Sequence, residues 1–152
     1  MVQQGTDTTH FSILDRDGNR VAATFTVNYA FGSGFIPPGT GVLLNDEMDD
    51  FSSKPGAPNT YGLVGAEENA IAPDKRPLSS MTPTFLENER GVAILGTPGG
   101  SRIISMVLLA ALEFARGGDA NDIVKLPRLH HQFCPTKCFT KRRRYPSSNA
   151  MH

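Results

Sequence analysis

Two neighbouring stretches near the start of the chain, residues 8–14 and 20–28, read as β-strands, and apolar and polar positions alternate along the second. A period of two is typical of β-strands, because successive side chains point to opposite faces. The sequence DRDGN between the two stretches favours a tight turn, since Asp, Gly and Asn tolerate a positive φ. The pattern therefore predicts a β-hairpin.

The hairpin can pair in two registers that differ by one residue. Pairing of Leu14 with Val21 places Thr26 opposite Thr9, whereas a slip of one residue places it opposite Thr8. In either register, threonines of the two strands are cross-strand neighbours.

Later segments predict further strands followed by helices. GVLLN at 41–45 is typical of a short buried strand, and 83–96 predicts a second hairpin around ENERG. The apolar stripe after Ser101 predicts a helix that ends at Gly117, and a short helix is expected over about 120–126. This order favours an α+β domain over alternating βαβ units.

Two stretches carry candidate chemistry. The glycines Gly99 and Gly100 of TPGG lie between a strand and a helix, where free backbone N–H groups can form an oxyanion hole; the alternative is an ordinary turn. DEMDD at 46–50 could hold an ammonium group or a metal ion, or could be a solvated acidic loop. Its spacing is not that of an EF-hand.

Other chemistry-bearing residues favour structural roles. His130 and His131 are adjacent and therefore point apart, which disfavours a metal site, and His10 is also read as structural. Cys134 and Cys138 do not have the CxxC spacing of a redox motif, and no second pair of metal-ligating residues accompanies them. No metal ion or cofactor is expected.

Charge is unevenly distributed along the 152 residues, although the net charge is zero. Residues 133–152 hold five basic residues and no acidic one, including the KRRR run. Such a run could attract nucleic acid, but a charged tail is the simpler interpretation, so no nucleic-acid partner is expected. The chain has no apolar run of about 18 residues that would predict a membrane-spanning helix.

Five groups of motifs occur in order along the chain: TTHFS, DDFS with PNTYGLVG, KRPLSSM, GTPGGSRI and PRLHHQ. From about Thr8 to Gln132 they resemble the small subunit of γ-glutamyltranspeptidase (glutathione hydrolase), a family of N-terminal-nucleophile (Ntn) hydrolases. The resemblance implies a partial Ntn-hydrolase αββα sandwich, with two antiparallel sheets flanked by helices, that is incomplete without a large subunit.

The resemblance also implies the catalytic residues. The precursor would cleave itself between Asp7 and Thr8, so that the Thr8 hydroxyl becomes the nucleophile and its freed α-amino group the base. Thr26 would orient that hydroxyl. Gly99 and Gly100 would form the oxyanion hole.

The substrate-binding residues are implied in the same way. They are expected to grip the γ-glutamyl group through its α-ammonium and α-carboxylate groups, with a tyrosine as the lid. These residues are Asn28, Glu47, Asp50, Tyr61, Ser79 and Ser80. Glu47 and Asp50 would face the ammonium group, and the two serines would bind the carboxylate.

The partners implied are a large subunit of the same precursor, glutathione and other γ-glutamyl compounds as donors, and an amino acid, peptide or water as acceptor. We expect a leader at 1–7, a small-subunit-like domain at 8–132 and a divergent basic tail at 133–152, which together look like a fragment. Family members are periplasmic, extracellular or attached to the membrane surface.

Two other readings stay open from the sequence. The chain could be a non-catalytic fragment or pseudoenzyme of the family, or a related cephalosporin acylase-type amidase. The γ-glutamyl contacts argue against the acylase.

Overall fold

The structure, a computed structural model, describes residues 7–132 and the backbone of residues 137–141. The predicted leader, apart from Asp7, and most of the predicted basic tail, with Cys134, lie outside the described residues.

The described elements are three antiparallel hairpins and two helices. They follow the chain in this order: β1 (Thr8–Leu14), β2 (Arg20–Thr26), β3 (Thr84–Asn88), β4 (Gly91–Leu95), α1 (Arg102–Arg116), α2 (Ala120–Lys125), β5 (Arg128–Gln132) and β6 (Lys137–Lys141). Each odd-numbered strand pairs with the next strand. The expected order of strands followed by helices is confirmed, and a further hairpin follows the helices.

The first hairpin adopts the register in which Thr8 pairs with Thr26. The alternative pairing of Leu14 with Val21 is wrong, because Leu14 lies opposite Arg20. The turn sets this register: the amide of Gly18, with a φ of 84°, donates to the Asp15 carbonyl at 3.2 Å. A three-residue loop closed by a residue of positive φ is a common hairpin connection.

The strand predicted at 41–45 is absent, and its side chains are not buried. The amide of Leu44 donates to Phe35, and the Leu44 carbonyl accepts from Ser33, both at 3.0 Å. These two bonds join the segment to the preceding loop, and no described strand lies beside it to extend a ladder. An apolar run becomes a buried strand only where a neighbour pairs with it and covers it.

Strand β5 was missed from the sequence. The run PRLHHQ is short, and its histidines do not give an apolar alternation, so the period-two signal is weak. It pairs with β6 in the structure, with His131 opposite Cys138. The Oγ of Ser105 on α1 lies 2.9 Å from Nδ1 of His130, so this contact fixes β5 against the helix.

Helix α1 packs one side against the rest of the domain through Ile103, Val107 and Ala110. It ends at Gly117, as predicted, in a left-handed conformation with φ 111°. Ser101 lies at the predicted N-cap position, but its side chain makes no capping hydrogen bond. The expected helix is therefore confirmed, although its N-terminal cap is not.

The outer face of the first hairpin is apolar and exposed. Phe11 and Phe25 stack there with their ring centroids 5.7 Å apart, and they are 41% and 61% exposed. Ile13 and Val21 extend the same face and are 48% and 43% exposed. The described residues therefore leave one whole side of this hairpin uncovered.

No helix in the described part of the chain has the length and apolar character needed to cross a membrane.

Candidate active site

The hydroxyls of Thr8 and Thr26 face each other across the first hairpin, with their oxygens 2.9 Å apart. The Thr26 hydroxyl also accepts the amide of Asn28 at 2.9 Å and lies 3.2 Å from the Asp7 carbonyl oxygen. A hydroxyl has one proton to donate. When Thr26 gives it to the Asp7 carbonyl, the Thr8 hydroxyl must be the donor of the bond between the threonines.

His10 lies on the same face of the hairpin as Thr8 and Thr26 but bonds to other residues. Its Nδ1 lies 2.8 Å from the Thr24 hydroxyl and its Nε2 lies 3.2 Å from that of Ser12. Ser12 in turn donates to the carbonyl of Ile94 on β4 at 3.2 Å. Burial lowers the pKa of His10, which favours the neutral ring. These contacts join the two hairpins, in agreement with the structural interpretation.

The acidic stretch forms a 3-10 turn, Glu47–Asp50, that brings two half-buried carboxyl groups together. Burial, the nearby charge of Asp50 and a hydrogen bond shared with Asp50 together raise the pKa of Glu47 to about 7. Burial also raises the pKa of Asp50, although that hydrogen bond partly offsets the effect. Among the described residues, no group hydrogen-bonds to the buried Oε1 of Glu47. The pair therefore offers an acceptor that is desolvated and unused.

Asn28 joins the hairpin to the acidic turn. It is 5% exposed, and its side-chain amide donates to the Asp46 carbonyl at 3.3 Å. Its φ of 71° turns the chain out of strand β2, which therefore ends at Thr26 rather than at the predicted residue 28.

Tyr61 lies in the Pro/Gly-rich loop and reaches back to the end of β2. Its hydroxyl donates to the carbonyl of Asn28 at 3.1 Å. The ring also lies over Gly100, where a Cβ atom would come within 2.8 Å of it. Gly100 has a φ of 57°, so both the close ring and the backbone conformation favour glycine at this position.

The carbonyl groups of the TPGG turn accept the first hydrogen bonds of helix α1. Gly99 and Gly100 accept the amides of Arg102 and Ile103 at 3.2 and 3.0 Å. Within the described residues, neither glycine's own N–H donates a hydrogen bond to helix or sheet. The backbone bonds of the described residues therefore leave both N–H groups unused.

A single cavity collects most of the expected site residues. Those that line it are Thr8, Thr26, Asn28, Asp50, Tyr61, Ser79, Ser80 and Gly100. Glu47 adjoins this set through Asp50, and Gly99 through the peptide bond to Gly100. Ser79 is exposed, and its Oγ accepts the amide of Met81 at 3.2 Å. All ten residues therefore lie in or beside one site.

The cavity is small, with a volume of ≈ 30 Å³, enough for one or two water molecules. A wider groove of ≈ 690 Å³ adjoins it and shares Asp50 and Ser80 with its wall. Tyr61 forms part of the wall of the smaller cavity, which must widen to admit anything larger than water.

Sequence analysis gave no role to Tyr29 and included Asp49 only as part of the acidic stretch 46–50. The Tyr29 hydroxyl donates to a carboxylate oxygen of Asp49 at 2.6 Å, and its ring centroid lies 5.1 Å from that of Tyr61. The position of Tyr29 directly after Asn28 was the one available signal in the sequence.

In the described part of the chain, no group of three or more His, Cys, Asp or Glu side chains has an arrangement that could hold a metal ion.

A family model for gamma-glutamyltranspeptidase matches residues 1–149 of the chain. The chain belongs to the gamma-glutamyltranspeptidase family. The matched range is wider than the segment from Thr8 to Gln132 over which the motifs were found.

Relatives and solved structures agree with this membership. The chain is 52% identical to the glutathione hydrolase proenzyme of Pseudomonas sp. strain A14 and 48% identical to that of Escherichia coli K12, with 87% of the chain covered in both cases. It spans 23% of the length of each of these relatives.

A solved acivicin-inhibited gamma-glutamyltranspeptidase superposes with a TM-score of 0.80 at 47% identity, covering 87% of this chain and 71% of that one. The structural neighbours therefore have the expected Ntn-hydrolase fold.

Proposed function

We propose that the chain supplies the catalytic residues of a glutathione hydrolase that transfers or hydrolyses γ-glutamyl groups through Thr8. The observation that carries the proposal is the pair of threonine hydroxyls, 2.9 Å apart, in one site with the acidic pair and Gly100. The family and the glutathione hydrolase relatives support the same reaction.

Self-cleavage between Asp7 and Thr8 would create the nucleophile. The Thr8 oxygen would attack the Asp7 carbonyl carbon, its proton passing to the departing amine, and water would then hydrolyse the resulting ester. Thr26 supports this step, because its hydroxyl lies 3.2 Å from the Asp7 carbonyl oxygen and can polarise that bond. The product is a free Thr8 with an α-amino group beside its hydroxyl.

The same hydroxyl would then attack the γ-carbonyl of a donor such as glutathione. The freed α-amino group takes its proton, and the N–H groups of Gly99 and Gly100 stabilise the oxyanion. Departure of the donor's amine leaves a γ-glutamyl ester on Thr8, which water, an amino acid or a peptide accepts. No cofactor takes part.

Charge selects the γ-glutamyl group in this proposal. Glu47 and Asp50 hold the α-ammonium, for which the unpartnered Oε1 of Glu47 is a ready acceptor. Ser79 and Ser80 bind the α-carboxylate, Asn28 positions the chain between them, and Tyr61 covers the pocket.

A large subunit from the same precursor would complete the αββα sandwich. The exposed apolar face around Phe11 and Phe25 supports this, since a sheet face of that character is normally covered. In this proposal residues 1–7 are a leader, 8–132 form the domain and 133–152 are a tail whose strand β6 pairs with β5.

The proposal is tested by expressing the chain with a large subunit from a glutathione hydrolase relative. We expect a new N-terminus at Thr8 by mass spectrometry and release of aniline from a γ-glutamyl anilide. An intact Asp7–Thr8 bond with no release, in a stable complex of the two subunits, would contradict it.

Asp50→Asn is expected to raise KM for the γ-glutamyl donor roughly tenfold or more, because the donor's ammonium loses a charged partner worth about 1.5–3 kcal/mol. The effect on kcat should be smaller, since Asp50 binds the part of the substrate that does not react. Asp17→Asn is the matched control, as Asp17 is exposed in the turn of the first hairpin. An unchanged KM for Asp50→Asn would remove this residue from the site.

The donor KM is expected to rise as the pH falls through about 7, the pKa of Glu47. Below that pKa the carboxyl group is protonated and neutral, and it attracts the ammonium less. The same raised pKa means that the folded state binds more protons than the unfolded state between about 4.5 and 7, so the contribution of Glu47 to stability falls as the pH rises through that window.

The pH dependence is measured as KM from about pH 6 to 8, where Thr8's α-amino group also titrates. Glu47→Gln separates the two groups, because it removes the carboxyl and leaves the amine. We expect the variant to have a higher KM with a flatter profile. A profile as steep as that of the wild type would assign the titration to the amine instead.

A further inference from the structure

Tyr29 joins three separate segments around the site. It follows Asn28 at the end of β2, and its amide donates to a carboxylate oxygen of Asp46 at 3.1 Å. Its hydroxyl donates to Asp49 in the acidic turn at 2.6 Å. Its ring packs against Tyr61 in the Pro/Gly-rich loop, with 5.1 Å between the centroids and 30° between the planes.

The hydrogen bond from Tyr29 to Asp49 persists across neutral pH. Burial and the neighbouring Asp49 carboxylate raise the pKa of Tyr29, so the phenol keeps its proton and stays a donor. A neutral phenol on a carboxylate is a charge-assisted hydrogen bond, which is stronger than one between neutral groups.

Two of the contacts that Tyr61 makes bear on the position of its ring beside Gly100. Its hydroxyl bond to the carbonyl of Asn28 holds one end, and the face of the Tyr29 ring supports the other. Since the cavity of ≈ 30 Å³ must open to admit a donor, the strength of this support sets how often the loop opens.

We propose that Tyr29 is a positioning residue that keeps the Tyr61 loop closed over the γ-glutamyl site and aligned with the acidic turn. This rests on the proposed function of the site. Tyr29 does not line the cavity that holds Thr8; it acts through Tyr61 and Asp49. If the contact between Tyr29 and Tyr61 is weakened, the donor escapes more easily. Water also reaches the γ-glutamyl ester on Thr8 more often.

The test uses the assembled enzyme with three variants, Tyr29→Phe, Tyr29→Leu and Asp49→Asn. Tyr29→Phe removes the hydroxyl and keeps the ring, so the donor KM should rise about fivefold, as for one lost hydrogen bond, with kcat nearly unchanged. Tyr29→Leu removes the ring as well and should have the larger effect. Phe31→Leu is the control, since that aromatic side chain lies two residues after Tyr29 and is 78% exposed.

The ratio of hydrolysis to transfer separates positioning from general damage. Loss of folded enzyme lowers both reactions equally, whereas an open loop favours water over the acceptor. We expect the ratio to rise at least about twofold in Tyr29→Leu, and to return most of the way towards the wild-type value in Tyr29→Phe. Equal ratios in all variants would overturn the proposal.

A second measurement is independent of activity. Chymotrypsin cuts after tyrosine, so its rate of cleavage between Tyr61 and Gly62, followed by mass spectrometry, reports opening of the loop. We expect faster cleavage in Tyr29→Leu than in Phe31→Leu. Equal rates would show that Tyr29 does not hold the Tyr61 loop closed. If the wild-type assembly shows no γ-glutamyl activity, the proposed function fails, while this measurement still decides whether Tyr29 holds the loop.

Discussion

Thr8→Ala is expected to abolish γ-glutamyl transfer in the assembled enzyme and to leave the Asp7–Thr8 bond intact. The variant lacks the oxygen that attacks both carbonyls, and no neighbouring group can replace it: the nearest hydroxyl, that of Thr26, already bonds to the Asn28 amide and the Asp7 carbonyl. Loss of a nucleophile costs at least about a thousandfold in rate.

Two measurements follow the two steps separately. Mass spectrometry detects a chain that begins at residue 8, and aniline release reports turnover. Thr8→Ser is the matched control, because it retains the hydroxyl and should keep both steps at a reduced rate. If Thr8→Ala retained more than a few per cent of the activity, or cleaved at the same bond, Thr8 would not be the nucleophile.

The hairpin that carries Thr8 shows how far a sequence pattern reaches. Two strand-like stretches around a turn sequence, with alternation along the second, predicted the hairpin and made Thr26 a cross-strand neighbour of the opening threonines. It could not choose between Thr8 and Thr9, because the choice depends on how many residues the turn uses. The positive φ of Gly18 and its amide bond to Asp15 decide that number, and a shift of one residue reverses which side chains face the site.

Contacts between distant segments were harder to predict. The apolar run at 41–45 has strand propensity, but no described strand lies beside it, so it stays irregular. Tyr29 contacts Asp49 and Tyr61 because Asn28 turns the chain with a φ of 71°. The local sequence does not predict this conformation. The motifs shared with the family identified site residues that periodicity alone could not bring together.

The 152-residue chain by itself is expected to show no γ-glutamyl activity and to keep residues 1–7 attached. In its described part, five apolar residues are buried, whereas Phe11, Phe25 and Leu108 are 41% to 61% exposed. Because one face of the first hairpin has no packing partner, few contacts hold Thr8 and Thr26 in place. Exposed apolar faces of this kind also favour aggregation. Addition of a large subunit should bury them and start self-cleavage.

Phe25 offers a direct check that burial of this face is the cause. Phe25→Asp places a charge on the apolar face beside Phe11, on the side of β2 opposite Thr26, and so leaves the site residues unchanged. We expect it to improve the solubility of the isolated chain and to prevent self-cleavage when the large subunit is added, because an unpaired charge would be buried at the contact. Phe31→Leu should do neither. A lone wild-type chain that begins at Thr8 and releases γ-glutamyl product would show instead that the first hairpin is rigid enough without a cover, and that the exposed face has no part in activation.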